Sequence, residues 1–308
     1  MTFTNKVVVL SVLHPLIKKT FNTFFSSLLK QTYKDFDLFI GDDGFIEEYG
    51  EKNFENIISD FKGNISFLKV SYTPIKNRQI ILEETLKKDY ELLIFADSDE
   101  YMDERRIELV VKYFYKNSKD EIVFNNMRYE NFSLFYKEKI TFYDILDFNV
   151  LGFGAMNIRK SIGKFVLEIM KISPPIFDWF FALVYLGRND NVFFLKNALN
   201  YRINHSFHSA KICNIFNPDS IKKAIHVKKN TYLNVINYFN IFDNIIDKKE
   251  KIKTLEGKLR EIERIEKYIF QNGMKKYIEH LKKYFTNRKY FYWWEYILSL
   301  EKLLKERQ

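Results

Sequence analysis

Two aspartates, Asp97 and Asp99, stand one residue apart directly after the apolar run Leu92-Leu93-Ile94-Phe95-Ala96. A continuous apolar run fits a strand covered on both faces, and in open α/β sheets ligands gather at the carboxyl ends of such strands. Carboxylates in that position need something positive beside them. A hard divalent cation carrying a diphosphate meets the need, since magnesium takes one or two carboxylates together with phosphate oxygens. A solvated acidic turn is the plainer alternative. A second acidic pair, Asp42-Asp43, lies between Gly41 and Gly44 after the apolar stretch Asp37 to Ile40, where glycine permits tight backbone. An ordinary Asp-Gly turn is the alternative there. Asp178 stands at the head of the apolar segment Phe177 to Leu186, where an aspartate most often serves as a helix N-cap.

The elements that must position these groups can be read from periodicity. Strands are expected over Lys6 to Leu13, Asp37 to Ile40, Ile65 to Tyr72, the run ending at Asp97, and Glu121 to Asn125. Helices are expected between them over Phe21 to Lys30, Asn53 to Phe61, Arg78 to Lys88 and Glu104 to Tyr115. Such alternation is the pattern of a parallel sheet with helices on both faces. Phe153 to Arg159 reads as a strand, Phe177 to Leu186 as a helix, and Asn191 to Arg202 again as a strand.

From Ile246 onward the chain turns to lysine, glutamate and leucine or isoleucine. Ile252, Leu255, Leu259, Ile262, Ile265 and Ile269 recur three or four apart, which draws an apolar stripe on a helix. Asn287 to Arg307 sets Trp293, Ile297, Leu300 and Leu304 on one face, with basic residues nearby. A terminal helix docked on the core has this pattern, and so does one lying in a membrane interface.

At 308 residues and 46% hydrophobic the chain can bury a full core, which excludes global disorder. The single Cys213 excludes an intramolecular disulfide and points to a reducing compartment, the cytoplasm. The opening Val7 to Leu13 reads as a strand and not as a signal peptide. The apolar segment Ile172 to Leu186 is broken by Pro174, Pro175 and Asp178, short of the roughly 20 apolar residues a membrane span needs. Of the net charge of +9, most lies beyond Ile246, where 17 basic residues face 10 acidic ones. No nucleic-acid-binding module accompanies that basic tail.

Four separated motifs, in order, resemble the GT-A glycosyltransferases of family 2. Ser11-Val12-Leu13-His14-Pro15 is similar to the first-strand motif, and Ser26 to Tyr33 followed by Asp42-Asp43-Gly44 to the next segment. Asn77-Arg78 is similar to the region ahead of the acidic strand, and Asp97-Ser98-Asp99 to the family's Asp-x-Asp. Phe45 stands where the family has serine, and Leu16-Ile17-Lys18 replaces the usual residues after the first-strand proline.

The resemblance implies a GT-A fold: a Rossmann-like α/β domain with a mixed, mostly parallel sheet flanked by helices and a C-terminal α-helical extension. The transferase domain would span 1–210, with a nucleotide-sugar half of about 1–102 and an acceptor half of about 103–210, and the helical basic extension 211–308. It implies nucleotide-sugar contacts from Pro15, Asp43, Arg78, Asp97 and Ser98, a Mn2+ or Mg2+ ion held by Asp99 and Asp97 with His205 as a further candidate ligand, and Asp178 as catalytic base. The expected activity is inverting, metal-dependent transfer from a nucleotide-diphosphate sugar, a UDP-sugar first, to a hydroxyl of a cell-surface glycan or lipid-linked saccharide. The basic aromatic tail would suit the inner face of the membrane or a homodimer through the C-terminal helices. The alternative is a catalytically silent nucleotide-binding scaffold acting through that tail. A nucleotidyltransferase would need a glycine-rich loop after the first strand, where His14-Pro15-Leu16-Ile17-Lys18-Lys19 stands instead.

Overall fold

A computed structural model describes residues 6–129, 132–133, 137–147, 151–172, 174, 176–202 and 216–285. His205 and the segment 287–307 lie outside the described residues. The chain divides into two compact units. One comprises Met1–Ile140, Val150–Ser173 and Asn191–Asn204, and the other Thr141–Asn149, Pro174–Asp190 and His205–Gln308.

The first unit is built on strands β1 (Val7–Leu13), β2 (Phe36–Asp42), β3 (Ile65–Lys69), β4 (Leu92–Phe95), β5 (Glu100–Met102), β6 (Ile122–Tyr129), β7 (Phe132–Ser133), β8 (Lys139–Ile140), β9 (Met156–Arg159) and β10 (Val192–Arg202). Its helices are α1 (Phe21–Leu29), α2 (Phe45–Tyr49), α3 (Glu51–Ile58), α4 (Pro74–Leu86), α5 (Arg106–Lys116) and α6 (Gly163–Ile172). Among the described residues these strands form a single sheet in the order β3-β2-β1-β4-β9-β6-β10-β5, with β7 beside β6 and β8 beside β10. The longer ladders, β1 with β2 and β4, β2 with β3, and β6 with β10, run parallel. The shorter ones at β9, β5, β7 and β8 are antiparallel.

Strand β1 is wedged between β2 and β4, and every residue of β4 is buried, which is why neither alternates polar with apolar. Rings from three consecutive helices close one part of the core. Phe21 of α1 meets Phe45 of α2 at 4.7 Å between centroids and Phe54 of α3 at 5.5 Å. Phe45, standing where a serine was expected, is fully buried and also stacks on Tyr49 at 5.0 Å.

The fold class read from the sequence holds, with shifts at element ends. Strand β3 stops at Lys69 because Thr73 and Pro74 already open the next helix, and proline suits its first turn. Phe153–Ala155 is a 3-10 turn, so strand β9 begins only at Met156.

The second unit contains α7 (Phe177–Arg188), α8 (Pro218–Ile241), α9 (Lys248–Asn272) and α10 (Met274–Phe285). The apolar stripe on α9 turns its middle inward: Leu255, Ile262 and Ile265 are buried, while Ile252, Leu259 and Ile269 are half-buried. Lys258 on the same helix pairs with Asp147 at 2.9 Å. Among the described residues no helix is long and apolar enough to cross a membrane.

Candidate active site

The acidic cluster follows from where β4 stops. Its last residue, Phe95, is buried, and the backbone leaves the sheet at Ala96 before returning as β5 at Glu100. In that interval Asp97 and Asp99 become partly exposed, and Glu100 joins them: one carboxylate oxygen from each of the three lies within 4.8 Å of the others. Three like charges this close repel unless positive charge is nearby. Part of it comes from Arg78 on α4, whose Nη2 donates to Asp97 Oδ1 at 2.6 Å, with side chains 29% and 24% exposed. The Arg78 guanidinium also lies over the Phe153 ring, 4.9 Å from its centroid.

The turn itself is anchored from several sides. Ser98 is buried and its Oγ donates to Val12 O of β1 at 2.7 Å, tying the turn to the central strand. Asn200 Nδ2 on β10 donates to Glu100 Oε2 at 2.7 Å and to Gly154 O at 3.0 Å. Arg106, the first residue of α5, is fully buried and donates through Nη2 to Phe95 O at 2.6 Å and Gly154 O at 2.8 Å. Burial pulls its guanidinium down to about 10, against the opposing influence of Glu100 and then Asp97.

The Gln31-Thr32 dipeptide has a structural reason. Gln31 is buried and accepts at Oε1 from Ile107 N at 3.1 Å, while its Nε2 donates to Asp103 O at 2.8 Å. An otherwise free amide at the start of α5 is thereby satisfied, and the helix that carries Arg106 is fixed.

The second acidic pair splits its duties. Asp42 Oδ1 accepts from Phe45 N at 2.8 Å and Ile46 N at 3.1 Å, starting α2 after Gly44, which adopts φ 77°. Asp43 is held by Asn77, whose Nδ2 donates to Asp43 Oδ2 at 3.1 Å and whose Oδ1 accepts from Tyr72 N at 3.0 Å. Pro15 opens a 3-10 turn, Pro15–Ile17, on the exposed side of the end of β1.

Asp178 belongs to the second unit. The residue capping α7 is Ile176 and not Asp178, which sits half-buried in the first turn and accepts from Trp179 N at 2.9 Å. Helix α7 is pinned by Trp179, whose Nε1 donates to Ile145 O at 2.7 Å.

Of the residues singled out in the sequence, the structure brings Asp97, Asp99 and Arg78 together, and it places Asp43 just after β2, the strand on the far side of β1 from β4. Sequence reasoning missed Glu100, Gly154, Arg106 and Asn200. Glu100 directly follows Asp99 and could have been read as a third acid. The others carry no local signal, since they are recruited from distant parts of the chain. An all-oxygen donor set of three carboxylates fits a hard ion such as Mg2+ or Mn2+ and is unsuited to soft, thiolate-seeking metals.

The chain belongs to glycosyl transferase family 2, whose model matches residues 15–174. The protein is a glycosyltransferase. It is 28% identical over 275 residues to poly(ribitol-phosphate) beta-N-acetylglucosaminyltransferase TarP of Staphylococcus aureus (strain N315), covering 83% of this chain and 80% of TarP. Its fold matches S. aureus TarS 1-349 in complex with UDP-GlcNAc, with TM-score 0.59 and 14% identity over 91% of this chain and 78% of that one. The chain spans 43% of the longer S. aureus TarS structure. The mannosyltransferase PcManGT from Pyrobaculum calidifontis, in complex with GDP-Man and Mn2+, matches with TM-score 0.52 and 12% identity over 94% of this chain and 77% of that one.

Proposed function

We propose that the protein transfers a sugar from a UDP-sugar, UDP-GlcNAc first among candidates, to a hydroxyl of a polyol-phosphate or saccharide polymer, with inversion at the anomeric carbon. The observation that carries this reading is the meeting of Asp97, Asp99 and Glu100 beside Arg78 at the end of β4, inside the family-matched region. The name of TarP and the UDP-GlcNAc bound to TarS support the donor. Seventeen basic residues beyond Ile246 support an anionic acceptor or an anionic membrane face.

In this reading Asp99, Asp97 and Glu100 hold Mg2+ or Mn2+, and His205 remains a candidate fourth ligand. When bound, such an ion offsets the negative charge that builds on the departing diphosphate. Asp43, fixed by Asn77, receives the nucleobase, and Pro15 borders it. Arg78 loses part of its hold on Asp97 when the diphosphate arrives and turns its donors to phosphate. Ser98 acts through its grip on Val12 O, keeping Asp97 and Asp99 in register for the donor. Asp178 accepts the proton of the acceptor hydroxyl as that oxygen attacks; an anionic side chain is favoured in the first turn of a helix.

The test is UDP release from a panel of UDP-sugars with and without Mn2+, using wild type and Asp99→Ala. Metal-dependent release that disappears in Asp99→Ala supports the assignment. Equal release by both proteins, or none from any donor, overturns it.

A further inference from the structure

Arg106 stands out among the buried groups. It is completely enclosed, yet within the described residues its Nε and Nη1 find no hydrogen-bond partner. Only Nη2 is engaged, toward Phe95 O, Gly154 O and, at 3.4 Å, Asn157 Oδ1. An enclosed cation with unsatisfied donors is costly relative to a well-packed apolar residue. Something must offset that cost, and a surface-exposed alternative was open to a residue at a helix start.

The three acceptors identify what is gained. Phe95 O closes β4 two residues before Asp97. Gly154 approaches Asp97 so closely that an added Cβ would lie 2.8 Å from its Oδ2. Asn157 opens onto β6, where its Nδ2 donates to Val123 O at 3.0 Å. One guanidinium therefore joins the strand that leads into the acidic turn, the turn that backs it, and the adjoining strand. Asn200 extends the same network by joining Gly154 O to Glu100 Oε2.

We propose that Arg106 is the positioning residue of the acidic cluster: the Nη2 arm of its fork locks the segment from Phe95 to Glu100 before any cation arrives, and this prior ordering sets how tightly Asp97, Asp99 and Glu100 bind a divalent ion. The proposal rests on the reading of that cluster as a cation site. It has a definite sign. Charge alone would predict that deleting a buried cation beside a metal strengthens metal binding. Loss of positioning predicts the reverse, and disturbing the groups that orient metal ligands weakens affinity about 10- to 100-fold.

The experiment is a titration of the purified full chain with Mn2+, followed by electron paramagnetic resonance, for wild type, Arg106→Lys and Arg106→Met. Leu255→Ala, a core change in the second unit, serves as a control for lowered stability. The expected result is Mn2+ affinity about 10- to 100-fold weaker in Arg106→Met, part of it regained in Arg106→Lys, and none lost in Leu255→Ala. Unchanged or tighter binding in Arg106→Met overturns the proposal. If both Arg106 variants fail to fold, Asn157→Ala, which removes one acceptor of the fork, decides the matter: weakened Mn2+ binding supports positioning, and unaltered binding overturns it. Absence of Mn2+ binding in wild type would instead refute the cation-site reading itself, and this proposal with it.

Discussion

A Cβ placed on Gly154 would stand 2.8 Å from Asp97 Oδ2 and 2.9 Å from its carboxyl carbon. Real Cβ atoms essentially never approach a neighbour this closely, so Gly154→Ala must push the Asp97 carboxylate aside, against its hydrogen bond to Arg78. Because a displacement of about 1 Å costs on the order of 100-fold in rate, kcat/KM for UDP-sugar turnover should fall by about that factor. Circular dichroism should show the fold intact, and activity near wild type would refute the tight approach.

Asp178→Asn keeps the shape of the side chain while removing its capacity to take a proton. Transfer to acceptor should drop by about 100- to 10,000-fold. UDP affinity should stay within about twofold, since the residue lies in a different unit from the proposed nucleotide contacts Asp43 and Arg78. Calorimetry with UDP alongside the transfer assay separates the two effects. A parallel loss of both would assign Asp178 to binding and not to proton transfer.

Asn77→Ala frees Asp43 Oδ2 and leaves the Tyr72 amide without its acceptor. Each lost hydrogen bond is worth about 0.5–1.5 kcal/mol, so the melting temperature should fall. UDP affinity should weaken about tenfold as Asp43 loses its orientation. Uridine and UDP should be affected alike if Asp43 meets the base. An effect confined to UDP would move Asp43 to the diphosphate.

Tyr90 supplies a pH signature unconnected to catalysis. Burial, reinforced by its hydrogen bond to Asp37 Oδ2 at 3.0 Å, pushes the Tyr90 hydroxyl up from 10 to about 12. The folded state therefore keeps a proton that the unfolded chain releases. Its contribution to stability is complete below pH 10 and is lost as pH rises toward 12. Urea midpoints measured across this window should decline more steeply in wild type than in Tyr90→Phe; identical slopes would remove Tyr90 from the account.

Much of the first unit was legible because its strands are buried on both sides and its helices amphipathic, so β1, β2, β4, α1 and α5 fall close to their expected spans. The ends were less so. Strand β3 was read three residues too long because Val70-Ser71-Tyr72 keeps strand composition after the ladder has stopped. Helix α4 starts four residues before the expected Arg78, because its first turn, Pro74 to Asn77, holds a single apolar side chain and no helical repeat of them. Within the site, Asp97 and Asp99 announce themselves by position after an apolar run. Arg106 sits in the charged string Asp103-Glu104-Arg105-Arg106, which looks like a solvated surface, and only the fold shows that its last member turns inward. Asn157 and Asn200 are likewise polar residues inside strands, given meaning by neighbours far away in the chain.

The buried Phe45 carries a consequence for how this enzyme could diversify. With Phe21, Tyr49 and Phe54 packed around it, the turn beside Asp43 is closed by interlocking rings. Single substitutions there would open holes in the core. The exposed Leu16, on the 3-10 turn after β1, can change without that penalty.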